Sequence, residues 1–256
     1  VYAIGYLAFL YIPVLFLPMF SFNDNIYIAF PLKGFTTKWY VEMFNNQPMW
    51  AALNNSLNVA CVSAAIATLL GLLGAKAVTR YRIPGEKPII FVIMLPMVVP
   101  YIIMGVALLI LITRLGIDLS LYTVTMAHVL ISVPFAMATL IARFEGFDQA
   151  LEEASVDLGA SPLSTFWRVT LPLVFPGVLA SFLLCFTISF DEFIMAYFLA
   201  GTDPTLPIFI WSQLRFPFRL PGVLALGSLI LVVSFVVVFI SQWLRRYRVE
   251  KTQPGI

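Results

Sequence analysis

Leu151-Glu-Glu-Ala-Ser-Val-Asp-Leu-Gly-Ala-Ser-Pro162, continued by Leu163-Ser-Thr-Phe-Trp-Arg-Val-Thr-Leu-Pro172, is the polar interruption that organises an otherwise apolar chain. It reads as two short helices joined by a glycine elbow. Asp148 stands where an N-cap is needed, and Glu152 and Glu153 put carboxylates in the first turn, where the helix dipole favours them. Gly159 supplies the left-handed residue that stops this helix. Ser161 then caps a second helix that has Pro162 at its first position, and Pro172 is expected to end it. A helix-turn-helix of this kind, about 143–172, lying between two apolar segments is suited to docking a partner outside the bilayer.

The rest of the composition demands that bilayer. Hydrophobic residues make up 61% of the chain and charged ones 11%, against roughly 45–50% and 25% in soluble domains. Mean hydropathy is +0.96. Apolar stretches of about 20 residues predict six spans, at about 2–22, 52–75, 88–113, 121–142, 173–199 and 221–243. The first has no small-x-small cleavage site before Ser21-Phe-Asn-Asp-Asn25, so it is kept as a membrane helix and not as a signal peptide. The chain starts at Val1 without a Met, and a short preceding tail is expected. The fold class is all-α integral membrane, one domain over 1–256, without low-complexity segments or a convincing internal repeat.

Basic residues set the expected orientation. With both termini inside, Lys76, Arg80, Arg82, Lys87, Arg143, Arg168, Arg245, Arg246, Arg248 and Lys251 fall on the cytoplasmic side. Lys33, Lys38, Arg114, Arg215 and Arg219 fall outside. That asymmetry is the positive-inside pattern, and it also places the Glu153–Pro172 loop in the cytoplasm. The net charge of +2 mostly records this bias and carries no nucleic-acid meaning.

Catalytic signals are missing. Gly71-Leu-Leu-Gly-Ala-Lys76 has the wrong spacing for a phosphate-binding loop, so ATP hydrolysis would belong to a partner. His128, the one histidine, sits within a span and reads as a hydrogen-bonded structural residue in preference to a proton relay. Cys61 and Cys185 read as packing residues, and no Cys/His metal spacing occurs. Pro96, Pro100, Gly105, Pro134, Pro176 and Gly177 break or kink the spans; proteins tolerate this where neighbouring helices or a cavity satisfy the freed backbone.

Asp191 and Glu192, in Phe186-Thr-Ile-Ser-Phe-Asp-Glu-Phe193, are different. Carboxylates at such depth cost roughly 2.5–3.5 kcal/mol on insertion scales, and they usually face a pathway. Read on one helix they point about 100° apart. Two readings stand: a structural pair with a partner's cation or with Arg215, or a cation-attracting site on a translocation route. Outside the spans, Thr36 or Thr37 is placed to cap a short helix carrying Trp39, Tyr40, Met43 and Phe44. That helix is either an interfacial anchor, or the wall of a periplasmic vestibule or a contact for a delivering protein.

The spacing Glu153-Ala154-Ser155, three residues, Gly159, nine residues, then Val169-Thr170-Leu171-Pro172 resembles the EAA loop of importer-type ABC transporter permeases. Ser155 and Val169 replace the usual Ala and Ile. Further stretches look like the smaller permease of the spermidine/putrescine type, the PotC-like branch. They are Gly34-Phe-Thr-Thr-Lys-Trp-Tyr40, the Arg80-Tyr-Arg82 loop, His128 with Pro134-Phe135, and Ser189-Phe-Asp-Glu192. The resemblance implies a type I ABC importer permease of the bacterial inner membrane with six transmembrane helices. It also implies a second, related permease, two ATPase subunits that carry ATP and Mg, and a periplasmic substrate-binding protein. This chain itself would bind no cofactor or metal and would not be an enzyme.

By resemblance, Glu153, Ala154, Gly159, Ser161, Leu171 and Pro172 couple the permease to the ATPase. Trp39, Tyr101, Ser189, Asp191, Glu192 and Tyr197 line the route of a small cationic or amine-bearing solute such as a polyamine. Two departures keep other cargo open. Polyamine members commonly have Pro-Asp where this chain has Pro100-Tyr101, and a Pro-Glu-x-Asn-Ala signature where it has Pro221-Gly-Val-Leu-Ala225, with Arg215 and Arg219 upstream. A zwitterion, an amine-bearing organic acid or a ferric complex is the alternative within the class. A stand-alone secondary transporter or channel is the alternative outside it, although such chains usually show internal repeats.

Overall fold

The structure is a computed structural model describing the backbone of residues 2–81 and 83–252, and side chains as far as 236 together with Phe239. Arg82 and the side chains of Arg245, Arg246, Arg248 and Lys251, all counted in the charge bias, lie outside the described residues. Twelve α-helices are present among them: α1 (Tyr2–Ser21), α2 (Lys38–Phe44), α3 (Gln47–Arg80), α4 (Glu86–Met94), α5 (Tyr101–Arg114), α6 (Leu121–Glu145), α7 (Ala150–Asp157), α8 (Pro162–Thr165), α9 (Leu171–Asp191), α10 (Ile194–Leu199), α11 (Leu206–Leu214) and α12 (Leu220–Thr252). Among the described residues, five helices are long and apolar enough to cross a membrane, and α4 with α5 make a sixth span if counted as one bent unit.

The described residues group into two compact units, one formed by Val1–Trp50 with Ile210–Ile256 and the other by Ala51–Phe209. In the first, α1 packs on α12, and Leu17 lies 3.8 Å from where a Cβ on Gly227 would sit. Asn23 organises the turn after α1: it bridges to Phe35, its side chain accepts the Lys33 N–H, and its carbonyl accepts the Trp39 indole N–H at 2.9 Å. Asp24 pairs with Lys38. Thr37 occupies the N-cap position of α2 without a side-chain bond, while Thr36 Oγ1 accepts the Lys38 N–H. Trp39 and Met43 are buried and Phe44 is exposed. The two faces of this helix therefore divide differently from a uniform aromatic belt.

The second unit is held by close helix crossings. Ala60, Ala64, Ala67 and Gly71 put a small, buried stripe along α3. A Cβ on Gly71 would lie 2.6 Å from Ala136 Cβ on α6, and such contact between backbones is how membrane helices gain packing. Leu140 and Phe144 of α6 meet Val174 of α9, with Leu72 and Ala75 of α3 behind them. Gly177 admits the Arg143 stem, whose guanidinium donates to the Leu173 carbonyl at 2.7 Å. At 34 residues, α3 rises about 51 Å at 1.5 Å per residue and so overreaches a hydrocarbon layer of roughly 30 Å.

Four sequence expectations change. The third predicted span is two helices bent by 101°, because Pro96 sits in a 3₁₀ turn, Leu95–Met97, and Pro100 starts α5; neither proline can donate to a helical ladder. The fifth span stops at Asp191: Glu192 is extended, at φ −72° and ψ 120°, before α10. Pro172 does not end the second loop helix. A π-helical turn, Phe166–Thr170, leads straight into α9 with Pro172 in its first turn, and the wider turn accommodates a residue that lacks an N–H. Asp148 is one residue too early to be the N-cap, which is Gln149; its carboxylate accepts the Ala150 N–H at 3.0 Å instead.

Candidate functional site

Two places in the second unit gather the chemistry. The first is the loop of α7 and α8. Gly159 has φ +85°, which a β-branched side chain would adopt only under strain. Its N–H bonds the Val156 carbonyl and the Ala160 N–H that of Ser155, closing α7. Ser161 Oγ accepts the Ser164 N–H at 3.3 Å, with Pro162 at the first helical position. Ser155 and Thr165 hydroxyls bond across the elbow at 2.9 Å. Between the two arms lies a cleft of about 630 Å³ lined by Leu151, Ala154, Leu158, Arg168, Val169 and Pro172.

The adjacent acids of this loop part company. Glu152 is 9% exposed; its carboxylate accepts from Arg80 Nε on α3 and from the Thr170 hydroxyl. Glu153 and Ala154 are exposed, as are Gly159, Ser161 and Pro172, whereas Leu171 is half-buried. Leu158 and Trp167 are 90% and 61% exposed. The loop thus presents an acid and large apolar side chains outward from an internally bonded base. Sequence reading places Arg80 only as a cytoplasmic base and as part of the Arg80-Tyr-Arg82 stretch, and it does not show the inward role of Glu152. The available signal was its separation of one residue from Glu153, which a helix turns by about 100°.

The second place is the break in the fifth span. Glu192 folds back over the start of α10: Oε1 accepts the Ile194 N–H at 2.9 Å, and Oε2 accepts those of Met195 at 2.8 Å and Ala196 at 3.2 Å. Free N–H groups and the helix dipole make that end the favourable place for a carboxylate. His128 Nε2 lies 3.4 Å from Glu192 Oε2, and His128 Nδ1 lies 2.7 Å from Ser189 Oγ. Ser63 Oγ of α3 reaches Ser189 Oγ at 2.9 Å and the Val59 carbonyl at 2.7 Å. His128 Nε2 lies buried beside the carboxylate but makes no hydrogen bond to it.

Asp191 is exposed and makes no ion pair within its own unit among the described residues. Tyr197 is 50% exposed and its ring lies 5.5 Å from that of Phe193. Tyr101, at the start of α5, packs against the core cluster that contains Met195 and Ala196 of α10. The broken third and fifth spans meet here: α5 packs on α10, where a Cβ on Gly105 would lie 2.8 Å from the Phe198 ring. The structure therefore brings Tyr101, Ser189, Asp191, Glu192 and Tyr197 to one neighbourhood. Trp39 belongs to the other unit, buried and hydrogen-bonded there. No group of His, Cys, Asp and Glu able to hold a metal occurs among the described residues.

Residues 67–249 match the family of binding-protein-dependent transport system inner membrane components. The spermidine/putrescine transport system permease protein PotC of Escherichia coli K12 is 38% identical over 240 residues, 93% of this chain and 90% of that one. The putrescine transport system permease protein PotI of the same organism is 34% identical, over 95% of this chain and 89% of that one. Among solved structures, a bacterial alginate ABC transporter in complex with its alginate-bound periplasmic protein superposes with a TM-score of 0.72 at 18% identity, covering 99% of this chain and 93% of that one. That likeness establishes the fold. Together with the apolar helices and the helix-turn-helix loop, these matches place the chain in the family of binding-protein-dependent transport system inner membrane components, as a multi-pass permease.

Proposed function

We propose that this permease is one half of the membrane channel of an ATP-driven importer for a polyamine or a similar small organic cation. A second, related permease forms the other half, two partner subunits hydrolyse ATP, and a periplasmic binding protein delivers the solute. Both termini lie in the cytoplasm, as does the α7–α8 loop, whose exposed Glu153, Ala154, Gly159, Ser161 and Pro172 meet the ATPase with Leu171 as their anchor.

The observation that carries the cargo assignment is the contrast at the fifth-span break. Glu192 is taken up by the backbone N–H groups of α10, while Asp191 is exposed and, among the described residues, has no ion pair within its own unit. A carboxylate at membrane depth is stabilised by water or by a passing positive group. An ammonium moving along the route supplies that group transiently, which suits release better than a tight site would. Tyr197 adds a cation–π surface worth roughly 0.5–2 kcal/mol. The spermidine and putrescine permeases among the relatives support the same class of cargo.

Uptake of labelled spermidine and putrescine by cells expressing the whole transporter tests the reading, together with calorimetry on the cognate binding protein. Uptake of neither polyamine, with a binding protein that takes an anion or a neutral sugar, refutes it. A monoamine or zwitterion is the second reading, favoured by Tyr101 where polyamine permeases commonly carry an acid; competition by such amines at lower concentration than spermidine would select it.

A further inference from the structure

We infer that Arg80 is the strut through which movement of the docking loop reaches the second and fifth spans. The inference rests on the coupling role proposed for the α7–α8 loop and assigns its transmission to residues other than those exposed to the ATPase.

Arg80 is the last residue of α3, and its side chain and that of Glu152 are 11% and 12% exposed. The Arg80 guanidinium does three things at once. Its Nε donates to Glu152 Oε2 on α7, its Nη2 donates to the Phe144 carbonyl of α6 at 3.2 Å, and its plane lies 4.5 Å from the Phe147 ring centre. The other oxygen of Glu152 accepts the Thr170 hydroxyl, one residue before α9. One buried ion pair therefore ties the ends of α3 and α6, the docking helix and the root of α9. Lys76, one turn earlier on α3, adds a contact with the Phe166 ring at 4.5 Å.

This is more than is needed to hold a connector in place. An α7 of eight residues hung only on its flanking chain would tilt without pulling the spans, because loops yield easily. A guanidinium that donates one N–H to the Glu152 carboxylate and another to the Phe144 carbonyl is fixed in direction, so a displacement of α7 is carried to α3 and α9 rather than absorbed. Glu153 faces outward to receive the load and Glu152 faces inward to pass it on. Arg80 is a positioning residue: it touches neither nucleotide nor solute.

The test uses the whole transporter, with partner permease, ATPase subunits and binding protein in liposomes, and spermidine as the probe. In Arg80→Gln the ATPase subunits should co-purify at wild-type stoichiometry and hydrolysis stimulated by the binding protein should persist. The solute moved per ATP hydrolysed should fall about tenfold, the scale of one lost charge-assisted contact. The double variant Arg80→Glu with Glu152→Arg should recover about a third or more of that ratio, which neither single reversal does, as expected of residues that act as a pair. An unchanged ratio in Arg80→Gln, or a double variant no better than its singles, overturns the strut.

Hydrogen exchange supplies a readout independent of cargo. ATP should alter exchange at the Arg80 end of α3 in the wild type and leave it unaltered in Arg80→Gln; the same response in both overturns the inference. If Arg80→Gln does not reach the membrane, Thr170→Val, which removes only the hydroxyl bond to Glu152, takes its place in this comparison, with the same two outcomes. Wild-type vesicles that hydrolyse ATP without moving spermidine refute the cargo assignment alone. ATPase subunits that bind a loop-disrupted Gly159→Val permease normally refute the docking reading alone.

Discussion

Two pairs of adjacent acids, Glu152–Glu153 in the loop and Asp191–Glu192 in the fifth span, solve the same problem by different backbones. In each, one carboxylate is buried and bonded within the chain while its neighbour is exposed. In the loop the division comes from helix geometry, since both acids lie on the continuous α7 and one step turns the side chain by about 100°. In the span the division comes from the end of the helix. Asp191 is the last residue of α9, and Glu192 steps out of it to cap α10. A turn or a break thus separates the directions of neighbouring like charges, so that one is bonded within the chain and the other stays exposed.

The comparison is broken most severely at the buried member of the span pair. Glu192→Leu leaves the N–H groups of Ile194, Met195 and Ala196 without their acceptor and His128 without its carboxylate. Each buried donor left unsatisfied costs about 1–3 kcal/mol, and thermal unfolding in detergent should show a large fall in Tm with poor recovery of the assembled complex. A variant as stable as the wild type would mean that the break at Glu192 holds without its cap.

Gly159→Val probes the loop in the same spirit. At φ +85° a valine is strained by about 1–3 kcal/mol. We expect the permease to remain in the membrane while ATPase subunits no longer co-purify with it, and normal association would make the loop a plain connector. Open space around Gly159, with no atom within 4 Å of a Cβ, means the effect is one of backbone and not of crowding.

Asp191→Asn sharpens the span pair from its exposed side. Shape is kept and charge removed, so spermidine uptake should fall about tenfold, roughly 1.4 kcal/mol, with Tm and basal ATPase activity near wild type. Unchanged uptake would remove Asp191 from the route, and loss of assembly would make it a second structural acid. The smallest effect belongs to the cap of α8: Ser161→Ala forfeits one bond to the Ser164 N–H, worth about 1 kcal/mol. It should weaken ATPase affinity without abolishing it, as read by titration of the purified subunits.

The loop was legible in the sequence because its signals are local. Asp and Glu near a helix start, a glycine at the left-handed position, and Ser-Pro at the next start each act within one turn of chain. Gly159, Ser161 and Pro162 stand where these rules put them. Asp148 missed by one residue because Gln149 already fills the cap position. The apolar lengths of the spans were equally readable, since hydrocarbon thickness sets them irrespective of partners. Even the two prolines that bend the third span were visible as breakers, though not the 101° they produce.

What the sequence alone determined is therefore the membrane class, the span count and the hinge chemistry of the loop, all of which follow from composition and short-range backbone rules. Which acid of each pair turns inward was decided only in three dimensions. Glu152 meets Arg80 across a separation of 72 residues, and His128 meets Ser189 across 61. No helical period links such residues; only the packing of α3, α6 and α9 brings them together, and burial there makes an unpaired polar group costly.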